Sequence, residues 1–404
     1  MDIRPSKRVS SIGAYAFAEV DRAVERLREQ GIEPIDFGVG DPTDPTPALV
    51  REACREAVDR HARSGYPSYI GAAAFREAAA AWLGRRFGVA IDPRTEICST
   101  IGSKEAIFHF AEGFIDPGDV AICPNPGYPP YYRGTLFAEG TPWPLALRAD
   151  DDFLPDLEAA VPEDVRRRAR VAWVNYPNSP SGKVAPAGYL EKCVEWGRRH
   201  GIIVASDEAY SEIHFTEEAP RSALELGKEG VAAFFSLSKR SAMTGYRVGF
   251  VAGDRRLIDV FKKVKTNIDS GTPSFVQDAA IAALADEAHV ASMRDEYRRR
   301  RDALAAGLEA AGLARCVPEG TLYLWQRVPE GMTSVDFAKR LLDPEVAVVC
   351  TPGAWISQAG PDGTNPGEGY IRFALVAPFE RTVEAGKRIA QAFSSTSTTG
   401  GRRT

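Results

Sequence analysis

"FFSLSKRSAMTGYRVGF", residues 234–250, is the stretch whose reading decides the fold. The apolar run Val231–Phe235 has the length and composition of a buried strand, yet it ends in a Ser-Leu-Ser-Lys-Arg turn. Eight residues after Lys239 comes Arg247, flanked by Gly245 and Gly249. A lysine at the end of a buried strand is costly to charge. The same surroundings lower its pKa and make the amine a nucleophile toward carbonyls. A surface-loop lysine is the alternative, and this turn alone supports both.

Working outward, apolar strand-like runs alternate with helical stretches from about 95 to 255: EICSTI, DVAICP, RVAWVNY, GIIVASDE, AAFFSLS and RVGFVAG. Such alternation implies an α/β domain with a mostly parallel central sheet covered on both faces. The polar residues collect at the carboxyl ends of these runs, where open α/β sheets bind ligands. Helical spacing marks an amphipathic helix over 15–30, helices near 48–63 and 72–88, and a long helical region over 274–312. Beyond it, TLYLWQRV, a helix near 334–342, VAVVC and GYIRFALV predict a smaller α+β domain that the N-terminal segment joins. The expected division is an N-terminal arm with part of the small domain (1–45), a large domain (46–285), a small C-terminal domain (286–393) and a tail (394–404). The tail, SSTSTTGGRRT, has no apolar residue and is expected to be disordered.

Composition narrows the function. With 404 residues, 44% hydrophobic and 26% charged, the chain reads as an ordinary globular protein of two domains. A net charge of −5 argues against a broad nucleic-acid surface, and the clusters Arg166–Arg168 and Arg298–Arg301 sit among acids as solvated faces. The six cysteines form no CxxC pair and have no histidine at ligand spacing, so neither a metal site nor a disulfide framework is expected. MDIRPSKRVSSIG lacks the apolar core of a signal peptide, and no run approaches the ~20 apolar residues of a membrane span. A cytoplasmic location with no membrane partner is the expectation.

Ser236, Ser238 and Arg247 offer two hydroxyls and a forked cation, which suit a phosphate. In "STIGSKEAIFHF" a strand meets a Gly-Ser turn and a helix start, so the N–H groups of Ser103 and Lys104 make an anion site. A plain helix cap explains that turn equally well. Together these parts describe a phosphate ester beside a reactive lysine. Pyridoxal 5'-phosphate has the phosphate, an aldehyde for lysine, and a pyridine nitrogen that needs a buried carboxylate partner. "GIIVASDEAY" supplies Asp207 at a strand end, either as that partner or as a helix N-cap, with Tyr210 placed for the ring's phenolic oxygen. In "NPGYPPYY" Tyr128 stands on a rigid loop, either stacked on the ring or packed in the loop. Arg372, within the apolar strand "GYIRFAL", either forks onto an α-carboxylate or pairs on an edge strand.

With "SDEAY", "SLSK" eight residues before Arg247, and "GYIRFAL" in this order, the chain resembles the fold-type I, class I/II aminotransferases from about Tyr15 to Phe393. The resemblance implies the aspartate aminotransferase-like fold and PLP carried on Lys239. It implies Asp207 on the pyridine nitrogen, Tyr210 on the phenolic oxygen, Tyr128 stacked on the ring, and Ser103, Lys104, Ser236 and Arg247 on the phosphate. It implies a homodimer with the site at the subunit interface, where Tyr66 of "GYPSYIG" reaches the neighbouring subunit's phosphate. Arg372 would hold the substrate α-carboxylate, with Gly40 of "FGVGDP" lying against the substrate. The family's Asn-Pro-Thr-Gly is replaced here by "NYPNSPSG". Ser179 takes the register of the asparagine that bonds the ring oxygen, and Asn178 precedes it; either could serve.

The implied activity is ping-pong transfer of an α-amino group from an amino acid to a 2-oxo acid, often 2-oxoglutarate. "NIDSGTPSFVQ" lacks the arginine that grips the distal carboxylate in the aspartate branch. "AYAFAEV" and Gly102-Ser103-Lys104 resemble the diaminopimelate aminotransferases, which puts Tyr15 in the substrate site and Ser270 in the place of that subfamily's asparagine. Diaminopimelate is the leading expectation; aspartate, alanine or aromatic amino acids, and a PLP-dependent carbon–sulfur lyase, are the alternatives. A regulator with an aminotransferase-like ligand domain would need a helix-turn-helix module, for which the N-terminal segment leaves no room.

Overall fold

The computed structural model describes residues 1, 3–10, 12 and 18–394. Tyr15 lies outside the described residues, as do tail residues 395–404.

Seven strands form the central sheet: β2 (Ile97–Thr100), β3 (Val120–Asn125), β4 (Thr141–Ala146), β5 (Ala169–Asn175), β6 (Ile203–Asp207), β7 (Val231–Ser236) and β8 (Gly249–Gly253), in the order β2-β8-β7-β6-β5-β3-β4. Only β8 runs against its neighbours; β7, β6, β5, β3 and β4 are mutually parallel. Because β2 is antiparallel to β8, it runs the same way as β7, and six carboxyl ends share one sheet edge.

The side chains of β7 alternate between two cores, as a strand's two-residue period requires. Val231, Ala233 and Phe235 join Phe75, Trp82, Trp196 and Leu284 on one face. Ala232 and Phe234 join Phe110, Tyr131, Trp173 and Phe261 on the other. Helices Ala73–Phe87, Ala187–His200 and Ser274–Ala285 cover the first face; Ser103–Phe114, Pro129–Phe137 and Arg255–Ile268 cover the second.

The six predicted strands of this sheet are present, and β4 is an addition. Its sequence, TPWPLA, carries prolines at 142 and 144, which mark a run as no strand or an edge strand. The chain solves this at the edge: among the described residues, β4 has β3 as its only strand partner.

A third core gathers Ile35 and Phe37 with Leu322, Leu324, Phe337, Val348, Ile371 and Phe373. Here β1 (Ile35–Asp36) pairs in parallel with β10 (Val348–Val349), and β12 (Tyr370–Ala374) lies between β11 (Thr351–Pro352) and β9 (Tyr323–Arg327). The long helical region expected over 274–312 is two helices, Ser274–Ala285 and Ala288–Ala310. The break follows from Asp286, whose carboxylate accepts the His289 N–H at 2.9 Å and starts a new helix. Among the described residues no helix is long and apolar enough to cross a membrane.

Candidate active site

β6 ends on Asp207, which is 3% exposed. Its Oδ2 accepts a hydrogen bond from the Tyr131 hydroxyl at 2.6 Å and its Oδ1 accepts one from Ala209 N–H at 3.2 Å. Burial pushes this carboxyl up to about 6, and the Tyr131 bond opposes the rise. Tyr131 stacks on Trp173 at 5.0 Å, and burial holds its hydroxyl well above its ordinary pKa, so it stays a donor. Tyr128, the residue before helix Pro129–Phe137, meets Tyr131 edge-on at 5.8 Å.

β7 ends on Ser236, whose Oγ accepts Ser238 N–H and caps the four-residue helix Leu237–Arg240. Lys239 stands on that turn, and its Nζ donates to the carbonyl of Gly40. Burial lowers its pKa; Arg247 and Arg372 add to this, while Tyr323 and Asp41 oppose it.

From the third core, Arg372 Nη2 donates to Gly38 O at 3.1 Å, and its guanidinium lies 4.5 Å from the Tyr323 ring. Arg372 Nε is buried without a partner among the described residues. The Tyr323 and Tyr210 hydroxyls are hydrogen bonded at 3.2 Å. A Cβ on Gly40 would come within 2.0 Å of the Tyr323 hydroxyl, so only glycine fits between Lys239 and this tyrosine.

At β2, Gly102 (φ 81°) turns the chain into helix Ser103–Phe114. Arg247, itself at φ 54°, donates to Thr244 O at 2.8 Å and Ile101 O at 3.2 Å. A Cβ on Gly102 would meet its Nη2 at 2.5 Å. The guanidinium therefore lies against the start of a helix whose N-cap has no side chain to occupy Ser103 and Lys104 N–H. Ser103 is half-buried and Lys104 exposed. From behind, Glu105 accepts Ile101 N–H at 2.7 Å, and the Lys265 ammonium pairs with Glu105 and Asp269.

Asn175, at the end of β5, donates to Asp207 O at 2.8 Å and accepts Ser179 N–H at 2.9 Å, which sets Ser179 beside Asp207. The Asn178 amide is turned back into its own loop, donating one N–H to Asn175 O and accepting from Ser181 N and Oγ.

Two expected residues lie apart from this group in the single chain. Tyr66 is 86% exposed, and Ser270 is exposed in the loop before helix Ser274–Ala285. Three residues were missed. Tyr131 stands in the first turn of the helix that Tyr128 precedes, in the same "NPGYPPYY" stretch. Tyr323 was hidden in an apolar strand, and Asn175 in the turn already assigned to its neighbours.

Tyr131→Phe tests the Asp207 environment without any ligand. A hydrogen bond to a charged acceptor is worth about 1.5–3 kcal/mol and to a neutral one about 0.5–1.5 kcal/mol. The variant is expected to lose more stability at pH 8, with Asp207 ionised, than at pH 5. Urea unfolding at the two pH values measures this; equal losses would mean that Tyr131 does not serve the ionised carboxylate.

The residues fit PLP. Asp207 offers a buried anion, the Gly102 turn and Arg247 form an anion cradle, and Lys239 is a desolvated amine. Comparison with known proteins identifies the family and the fold. Residues 32–377 match the family model "Aminotransferase class I and II". The LL-diaminopimelate aminotransferase of Aquifex aeolicus is 44% identical over 387 residues, covering 95% of this chain and 98% of that protein. A double mutant of Thermus thermophilus aspartate aminotransferase superposes with a TM-score of 0.88 at 29% identity, covering 96% of this chain and all of that one. A probable N-succinyldiaminopimelate aminotransferase, also from Thermus thermophilus, does so at 0.84 and 35% identity, covering 94% and 100%. The fold is that of aspartate aminotransferase, and the chain belongs to the class I and II aminotransferases.

Proposed function

We propose that this enzyme moves the α-amino group of diaminopimelate to 2-oxoglutarate, with PLP carried on Lys239. One observation carries the site reading: Lys239 Nζ and the Arg372 guanidinium converge on the three-residue segment Gly38–Gly40, from different cores. An amine and a guanidinium so placed suit the two ends of an α-amino acid's reacting centre. The partnerless Nε leaves the fork a donor for a carboxylate. The diaminopimelate reading rests on the named relatives and on the absence of arginine in residues 267–277.

When bound, PLP supplies the electron sink that stabilises charge on the substrate α-carbon. The chain's residues would do the rest. Arg372 orients the α-carboxylate, with Gly40 flat against the substrate. The Lys239 amine, uncharged at lower pH than an ordinary lysine, would accept the substrate α-proton at Nζ and carry it through the exchange. Asp207, whose ionised form the Tyr131 hydrogen bond favours, would pair with the pyridine nitrogen and keep it protonated. Tyr210 and Ser179 would donate to the phenolic oxygen; Ser179 is preferred over Asn178 because the Asn178 side chain is turned back onto Asn175 and Ser181. Tyr128 would cover the ring face, and Ser103, Lys104, Ser236 and Arg247 would hold the phosphate.

Tyr66 and Ser270 would act across a homodimer. Their exposure supports this, as does the packing of Gly271 on Ser68 and Tyr69, which joins both loops in one surface strip. Tyr15 would complete the substrate site. A cytoplasmic enzyme is the accompanying reading.

The test is a screen of LL-diaminopimelate, its N-succinyl derivative, aspartate, alanine and aromatic amino acids against 2-oxoglutarate, pyruvate and oxaloacetate. LL-diaminopimelate with 2-oxoglutarate is expected to lead in kcat/KM by about tenfold or more. The oxo acid should appear without ammonia. A lead for another donor overturns the substrate; ammonia release overturns transamination in favour of a lyase.

A further inference from the structure

Arg240 has no part in the chemistry above, although it adjoins Lys239. It is 3% exposed, and burial lowers its pKa. A buried guanidinium costs several kcal/mol unless its partners are well placed. Here Nη1 donates to Ala283 O at 2.7 Å and Ser241 Oγ at 3.1 Å, and Nη2 to Glu287 Oε1 at 2.6 Å. Trp82 Nε1 donates to the same Glu287 oxygen at 3.1 Å, and the guanidinium lies 5.4 Å from the Trp82 ring. The next residue repeats the pattern: Ser241 Oγ and His289 Nε2 are bonded at 2.9 Å, and His289 Nδ1 meets Asp286 Oδ2 at 2.6 Å.

Apart from Trp82 and Ser241, the partners fall within 283–289, the bend between helices Ser274–Ala285 and Ala288–Ala310. The second helix leads into the third core, where Gly307 packs so closely on Gly386 that a Cβ would meet its Cα at 2.3 Å. The helix Leu237–Arg240 is a single turn, too short to hold its own geometry. Something outside it must fix Lys239.

We propose that Arg240 is a positioning residue for Lys239, clamping the lysine-bearing turn to the bend between the two cores. The inference rests on the assignment of Lys239 above. With the clamp gone, the turn loosens and Nζ reaches water. Besides burial, the groups with the largest effect on Nζ are the Tyr323 phenol, Asp41, Arg247 and Arg372, none of which the substitution removes.

The test uses Arg240→Met, Arg240→Lys and Glu287→Gln. The first readout is the pH dependence of reductive methylation of Lys239 in cofactor-free protein, followed by peptide mass spectrometry. Arg240→Met is expected to raise the Lys239 midpoint by about one pH unit. In the PLP-loaded enzyme it should lower kcat by about 10- to 100-fold with KM within about threefold, as for a displaced catalytic group. Arg240→Lys should recover most of both effects, and Glu287→Gln, altering a half-exposed partner, should show a smaller shift of the same sign. Unchanged midpoints with only a lower melting temperature would overturn the proposal. If Arg240→Met does not fold, Glu287→Gln decides by the same criterion. If PLP does not attach to Lys239 in the wild type, the site assignment falls, while the cofactor-free titration still decides the clamp.

Discussion

Lys239→Ala is expected to lower transamination by about four orders of magnitude or more, since the proposed covalent anchor and proton carrier are one and the same amine. The visible absorbance that depends on attachment to Nζ should vanish with it. The fold should survive. The Lys239 pKa is depressed in the folded chain, so between the folded and unfolded values the native state binds fewer protons than the unfolded one. Wild-type stability therefore falls as pH drops from about 10 toward the folded pKa, and the alanine variant escapes that loss. It forfeits the bond to Gly40 O, worth about 1 kcal/mol. Equilibrium unfolding at pH 7 should put the cofactor-free variant within about 1 kcal/mol of wild type or above it. A large drop would mean that Lys239 serves the fold.

Asp207→Asn should separate activity from stability in the opposite sense. The substitution keeps the size of the side chain and an acceptor for Tyr131 but removes the charge proposed to hold the pyridine nitrogen protonated. A charge aimed at the developing transition state is worth about 10²–10³ in rate, and a kcat loss of that order is expected. The folded pKa of Asp207 is raised from 3.8 to about 6, so its contribution to stability is complete below about pH 4 and is lost as pH rises through 6. That rise corresponds to about 3 kcal/mol. The cofactor-free variant should thus be more stable than wild type at pH 8 and no more stable at pH 4. Urea titrations at both pH values check this; parallel curves would contradict the burial of an ionised carboxylate.

Much of this was readable in the chain because the carboxyl ends of buried strands are where polar residues stand out. Asp207 and Lys239 each end an apolar run, and Arg372 interrupts one. β4 was not readable, because its prolines are tolerated only at a sheet edge and edge position is a tertiary fact. Tyr131 and Tyr323 were missed because a tyrosine among apolar residues looks like core until the partner of its hydroxyl is seen. The hydrogen bonds that turn Asn178 back onto Asn175 and Ser181 lie inside one loop, which spacing does not reveal. The break at Asp286 also escaped the periodicity, since apolar spacing resumes after it.

The central claim is that PLP is attached at Lys239. Reduction of the PLP-loaded protein with borohydride, followed by peptide mass spectrometry, tests it most directly. A single pyridoxyl adduct on the Lys239 Nζ is the predicted result. An adduct on Lys104 instead, or none on any lysine, would contradict the account.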